Sequence, residues 1–136
     1  MTLRSNAAAP TEGGLFGFQV FVVEDELVVS IMLEDMLAEF GCIVAGMAAT
    51  VDDAMAQIVA TPMIDAAILD VNLGGEKVYP VAERLIARGV PFVFCTGYGL
   101  GGVANHFAHV PTLAKPYEQD QLEDLLISAL VNARPN

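Results

Sequence analysis

Apolar and polar positions along the chain fall into two alternating patterns. Short, mostly apolar runs occur at Phe18–Val23, Cys42–Gly46, Ile64–Leu69, Pro91–Cys95 and Val110–Ala114, the first of them dense in β-branched and aromatic residues. Such runs fit strands buried on both faces. Between them lie segments with helical spacing. Leu27, Ile31, Glu34/Asp35 and Ala38 separate a core side from a wet side, and Gly41 supplies the stop. Thr50-Val51-Asp52-Asp53 resembles a capping box with Asp in place of Glu, opening a helix that runs to about Thr61, before Pro62. A third helix reads from Glu76 or Lys77 to Ala87, with Val81, Leu85 and Ile86 inward. Pro80 is tolerated only near its first turn, so it starts later than Glu76. The last helix, from about Glu118, places Leu122, Leu125, Leu126, Ala129 and Leu130 on one stripe, with acidic residues crowding its N-terminal turns. Gly97, Gly99, Gly101 and Gly102 make the fourth helix short or mobile. Five strands alternating with helices predict an α/β fold, a doubly wound parallel five-stranded sheet in the order 2-1-3-4-5.

Composition narrows the class. At 136 residues, with 54% hydrophobic residues and a mean hydropathy of +0.53, the chain holds one folded domain rather than a disordered one. No apolar run approaches the ~18 residues of a membrane span. A net charge of −11 excludes direct binding to nucleic acid or to anionic membrane, whose phosphates it repels. Residues 1–17 differ in texture and lack the ~7–15-residue apolar centre of a signal peptide. They read as a flexible leader, with the domain over 18–133 and a cytoplasmic location. Too few residues follow the last helix for an effector domain. Cys42 and Cys95 would end up about 14 Å apart across the sheet, too far for a disulfide.

Candidate chemistry gathers at the carboxyl ends of the strands, where ligands bind in open α/β sheets. Glu24 and Asp25 follow strand 1, Asp70 ends strand 3, Thr96 ends strand 4 and Lys115 ends strand 5. Clustered carboxylates repel one another unless a cation sits among them. Mg²⁺ suits such a site, because it takes oxygen ligands and works with few carboxylates plus a phosphate. Lys115 offers a point charge to a phosphoryl oxygen, and Thr96 a hydroxyl. Together they describe a carboxylate nucleophile attacking phosphorus.

In Val22-Val23-Glu24-Asp25-Glu26, Leu69-Asp70-Val71-Asn72, Thr96-Gly97 and Lys115-Pro116 the chain resembles the receiver domains of two-component response regulators, over residues 18–133. The resemblance implies a flavodoxin-like (βα)5 fold and a phosphoprotein that accepts a phosphoryl group on Asp70 from a phosphohistidine. It implies Mg²⁺ bound by Asp25 and Asp70, by Glu24 largely through water, and by the main-chain carbonyl of Asn72. Thr96 and Lys115 would hold phosphoryl oxygens, and Lys115-Pro116 is a candidate cis bond. The implied partners are a histidine kinase or histidine phosphotransfer protein, docking by helix 1 and the rim loops, and a downstream protein target. A receiver of this kind is no enzyme beyond assisting its own phosphorylation and dephosphorylation.

Two departures stand out. Receivers commonly carry an aromatic switch residue three positions before the lysine, where this chain has Thr112. Phe94-Cys95-Thr96-Gly97-Tyr98 is similar to the Phe-Ala-Thr-Gly-X-Tyr motif of a stand-alone subgroup, with Cys for Ala and the tyrosine one place early. The signal is therefore expected to pass through the segment after Thr96. Other readings fare less well. Gly97–Gly102 satisfies G-x-G-x-x-G, but the next strand ends in Lys115 rather than the acid a dinucleotide site needs. His106 and His109 have a metal-pair spacing with no third ligand nearby, and read as surface residues. A Mg²⁺-dependent aspartyl-phosphate hydrolase needs an acid/base at Asn72, which has no carboxyl. A pseudo-receiver binding without phosphorylation has no use for the intact Asp70, Lys115 and acidic pair.

Overall fold

The apolar runs pair as strands, and their alternation points side chains to two separate cores. The computed structural model of the chain describes residues 14–97 and 103–133. Five parallel strands form one sheet: β1 (Gln19–Val23), β2 (Ile43–Ala48), β3 (Ala66–Asp70), β6 (Phe92–Thr96) and β7 (Thr112–Ala114), in the order β2-β1-β3-β6-β7. This is the expected 2-1-3-4-5 order of a flavodoxin-like fold. Phe21 and Val23 face α2 (Val51–Ala60) and α3 (Tyr79–Ala87), while Val20 and Val22 face α1 (Leu27–Glu39) and α4 (Gln119–Ala133). The remaining strands, β4 (Asn72–Leu73) and β5 (Glu76–Lys77), form a small antiparallel hairpin.

Helix boundaries follow the punctuation. Cys42 N–H donates to Leu37 O (2.9 Å) and Gly41 N–H to Ala38 O (3.0 Å), with Gly41 at φ +81°. That is a Schellman closure of α1, which needs a residue that tolerates positive φ. Thr50 Oγ1 accepts from Asp53 N–H at 3.1 Å, capping α2 as expected. The Asp53 carboxylate does not complete the box and instead accepts from Gln57 Nε2 at 3.0 Å. Arg88, just past α3, donates to the carbonyls of Ile58 (2.6 Å), Thr61 and Pro62, satisfying the open end of α2.

Several expectations need correction. Leu27 and Ile31 were assigned to the core side of α1, but they are 74% and 49% exposed; Leu33 and Leu37 fill that role. The helix is apolar nearly all round, so periodicity could not choose the buried stripe. Ile86, expected inward on α3, is half exposed, and Ala82 takes its place beside Val81 and Leu85. The leader was drawn through Gly17, yet Leu15 is buried beside Phe18, and Gly17 N–H donates to Gly41 O at 2.8 Å. One leucine inside an Ala- and Gly-rich stretch was enough to bring the chain back to the core. Glu76 and Lys77 belong to the hairpin, and Pro80 is the second residue of α3. In place of a fourth helix, the described residues between β6 and β7 hold a 3₁₀ turn at Asn105–Phe107. Residues 1–13 of the leader and 98–102 of the glycine-rich motif lie outside the described residues.

Candidate functional site

Register brings the strand ends to one rim. Asp70 is the last residue of β3 and pairs with Cys95, so Thr96 ends β6 one step further along. Lys115 follows β7, where its N–H donates to Thr96 O at 2.9 Å, and the Lys115-Pro116 bond is cis. Glu24 follows β1 and is tied to the β2 end through its N–H to Ala48 O at 3.0 Å.

Lys115 is the electrostatic centre of the cleft. Its Nζ lies 3.0 Å from Glu24 Oε1 and 3.2 Å from Asp70 Oδ2, and 3.9 Å from Glu26 Oε1. Glu24, Asp25 and Asp70 each place a carboxylate oxygen within 4.8 Å of the others. Glu24 and Asp70 are buried while Asp25 is exposed, so the group forms a wall with one open side. Burial and the charge of Asp70 raise the Glu24 carboxyl to about 7, against the lowering pull of Lys115 and the Glu26 N–H. Burial lowers the affinity of Lys115 for its proton, but the hydrogen bond to Glu24 and the charge of Asp70 outweigh this. Its pKa ends above the ordinary value. One ammonium is thus shared among carboxylates that outnumber it.

Asp25, Glu26, Asp70, Asn72, Gly74, Gly97 and Lys115 line an open cleft of about 470 Å³. Of the residues singled out in the sequence, Glu24, Asp25, Asp70, Asn72 and Lys115 therefore meet in one place. Thr96 is fully buried at the end of β6 and does not line the cleft in this conformation. Two participants were missed, Glu26 and the hairpin that carries Asn72. Glu26 is the third acid of Glu24-Asp25-Glu26, and the hairpin has its sequence signal in the glycine pair Gly74-Gly75.

Thr112 lies beside Phe94 in the sheet and bonds locally, Oγ1 to Val110 O at 3.0 Å. The aromatic residues cluster on the α3 side instead. Tyr79 stacks on Phe107 with centroids 4.9 Å apart and meets Phe94 edge-on at 6.0 Å. Its hydroxyl accepts from Ala104 N–H at 2.8 Å. His106 and His109 are exposed, and His106 Nε2 lies 3.7 Å from Glu83 Oε2. On the other face, burial pushes the Cys95 thiol up to about 12, as expected of a small buried hydrophobe.

A doubly wound parallel sheet whose polar residues gather at its carboxyl rim places the chain among the flavodoxin-like α/β proteins. No protein-family model and no curated protein matches the chain. Among solved structures it is similar to SdrG from Sphingomonas melonis Fr1, at 45% identity over 85% of this chain and 97% of that one, with a TM-score of 0.75. It is also similar to the PhyR response-regulator receiver domain of Erythrobacter litoralis, at 25% identity over 89% and 95% of the chains, with a TM-score of 0.77. A match to PhyR of Brucella abortus, at 24% identity and a TM-score of 0.75, covers 88% of this chain and half of the length of that protein. The chain belongs to the response-regulator receiver domains.

Proposed function

We propose that this receiver takes a phosphoryl group onto Asp70 from a phosphohistidine donor and passes the signal on by protein contact. The observation that carries the reading is the placement of Lys115 Nζ within 3.2 Å of both Asp70 and Glu24, beside the open carboxylate Asp25. A carboxylate oxygen of Asp70 attacks phosphorus, the new O–P bond forms, and the N–P bond to the donor imidazole breaks with its electron pair staying on nitrogen. Lys115 already reaches Asp70 Oδ2 and is placed to follow the negative charge onto a phosphoryl oxygen. Thr96, at the end of β6 beside the rim, would hold another phosphoryl oxygen.

The donor set fits Mg²⁺: three carboxylates, no histidine or cysteine beside them among the described residues, room for water, and Asn72 on the cleft wall, whose main-chain carbonyl would complete the set. Asp25 and Asp70 would bind it directly and Glu24 largely through water. Bound there, the cation supplies charge neutralisation between acceptor and phosphoryl group.

The donor protein docks beside the cleft on α1. Leu27, Val28, Ile31 and Met32 are all about half exposed or more, and a groove of about 350 Å³ between α1 and Pro116-Tyr117 continues that apolar strip. A BeF3-activated conformation is known for SdrG, which supports looking for the same chemistry here.

The test is incubation with Mg²⁺ and acetyl phosphate, followed by intact-mass measurement. Wild type should gain one phosphoryl group and Asp70→Asn none. A wild type without adduct, or an equal adduct on Asp70→Asn, overturns the assignment. The pseudo-receiver alternative is separated by partner binding, which it predicts to be the same for Asp70→Asn and for the phosphorylated wild type. The hydrolase alternative predicts continuous turnover of small phosphate esters.

A further inference from the structure

The connection leaving Asp70 is a hydrogen-bonded hairpin. Asn72 pairs with Lys77 and Leu73 with Glu76 around Gly74 and Gly75, whose φ values are +57° and +96°. Positive φ at both central residues is the signature of a type I′ turn, whose twist suits a two-residue hairpin. One step below, Val78 N–H donates to Val71 O at 3.0 Å. Hydrogen-bonded and non-hydrogen-bonded pairs alternate along an antiparallel ladder. Asn72 and Lys77 are therefore a non-hydrogen-bonded pair whose main-chain groups turn away from each other. The Asn72 N–H accordingly reaches Asp70 Oδ1 at 3.2 Å. In a strand the N–H and C=O of one residue leave the same edge, so the Asn72 carbonyl also faces the Asp70 side.

Little main-chain bonding maintains this edge. Each strand of the hairpin is two residues long, and two-stranded hairpins are marginal in water on their own. Side chains of a non-hydrogen-bonded pair stand closest together. There the exposed Lys77 Nζ donates to Asn72 Oδ1 at 2.5 Å. Lys77 and Lys115 are the two lysines of a chain with net charge −11, and both stand at the Asp70 rim.

We propose that Lys77 is a positioning residue for the metal site: by holding the Asn72 side chain across the hairpin, it keeps the Asn72 main-chain edge turned toward Asp70 and the cation. The inference rests on the metal-assisted acceptor reading above and adds a residue outside the acidic cluster. Simple charge repulsion makes the opposite prediction, because removing an ammonium near a cation site should tighten cation binding. The sign of one measurement separates the two.

Mg²⁺ is titrated into the metal-free full chain, with affinity read by calorimetry and by the amide NMR shifts of Asp70, Val71 and Asn72. Lys77→Met should weaken Mg²⁺ binding about fivefold, less than the ~10–100-fold typical of outer-shell partners, because the pair is exposed. The thermal midpoint of the metal-free chain should stay unchanged. Lys77→Arg, which can donate to the same oxygen, should restore most of the affinity. Asn72→Ala should weaken binding by a similar factor, and the double variant no further than the single ones. Affinity equal to or tighter than wild type in Lys77→Met overturns the inference while leaving the acceptor reading intact. No Mg²⁺ binding by wild type overturns both.

Discussion

The two connections that flank Asp70 in the cleft, one after β3 and one after β6, are built by different physics. On the α3 side, Val71–Val78 is shaped by main-chain pairing, a two-glycine turn and polar contacts to Asp70 and Lys77. After Thr96, the described residues 103–110 hold one 3₁₀ turn, and rings fasten it: Phe107 is fully buried between Tyr79 and Phe94. The first connection presents hydrogen-bonding groups to Asp70 and the cleft. The second buries apolar area and exposes its polar residues. Both touch the same helix: the first runs into α3 at Val78, and the second packs on Tyr79 on its way to β7. One connection is thus stiffened by turn geometry and the other by side-chain packing.

The sharpest way to break that contrast is to remove the ring that holds the second connection. Phe107→Ala deletes a buried aromatic side chain between two others and should cost about 3–4 kcal/mol of global stability. Denaturant unfolding measures it. Amide exchange in 103–110 should rise far more than in 71–78; equal changes in both would mean that the two connections are not independent.

The rim responds to pH instead. Glu24 titrates near 7 in the folded chain and near 4.5 when unfolded, so between those values the folded state binds more protons. The stability associated with this group is full below pH ~4.5 and is lost as the pH rises through about 7. Metal-free protein should lose on the order of 2 kcal/mol over that interval. Thermal unfolding in chelator from pH 5 to 8 tests this, and Glu24→Gln should flatten the profile. Saturating Mg²⁺ should reverse the trend, because the cation favours the ionised carboxylates. Phe107→Ala should leave the slope unchanged, since its effect is confined to packing.

How much of this was legible in the sequence follows the same division. Asp70, Lys115 and Glu24-Asp25 were visible because each stands where a mostly apolar run ends, and parallel strand order then brings those ends together. Residue spacing on α1 failed because Leu27, Val28, Ile31, Leu33 and Leu37 surround that helix, and only contact with the sheet selects Leu33 and Leu37. Leu15 escaped because a single apolar residue carries no period. The hairpin was hidden by its shortness, since strands of two residues have no alternation to read. Tyr79 was invisible for another reason: its partners Phe94, Ala104 and Phe107 are remote in sequence and meet it only through the packing of α3 on β6.

Gly74→Ala tests the first connection at moderate cost. Gly74 has φ +57°, a region that costs an L-residue roughly 1–2 kcal/mol, while the added Cβ meets nothing closer than Asp25 Oδ2 at 3.8 Å. The loss should therefore be conformational strain rather than a clash. It should appear as faster amide exchange in 71–78 and weaker Mg²⁺ binding, with 103–110 unaffected. A variant that binds Mg²⁺ as wild type does would show that the turn does not set the Asn72 edge.

The smallest change separates packing from hydrogen bonding within the second connection. Tyr79→Phe keeps the ring that stacks on Phe107 but removes the hydroxyl oxygen that accepts from Ala104 N–H. Ala104 is partly buried, so its amide loses an acceptor that water replaces only in part. The net cost should be about 1 kcal/mol, several times less than for Phe107→Ala. Exchange of the Ala104 amide itself should accelerate by about fivefold, the factor that 1 kcal/mol sets, while Phe107 and Val110 exchange as in wild type. If all of 103–110 accelerates together, the hydroxyl and not the ring stack is what fastens the turn to α3. The contrast between a bonded connection and a packed one then fails at this residue.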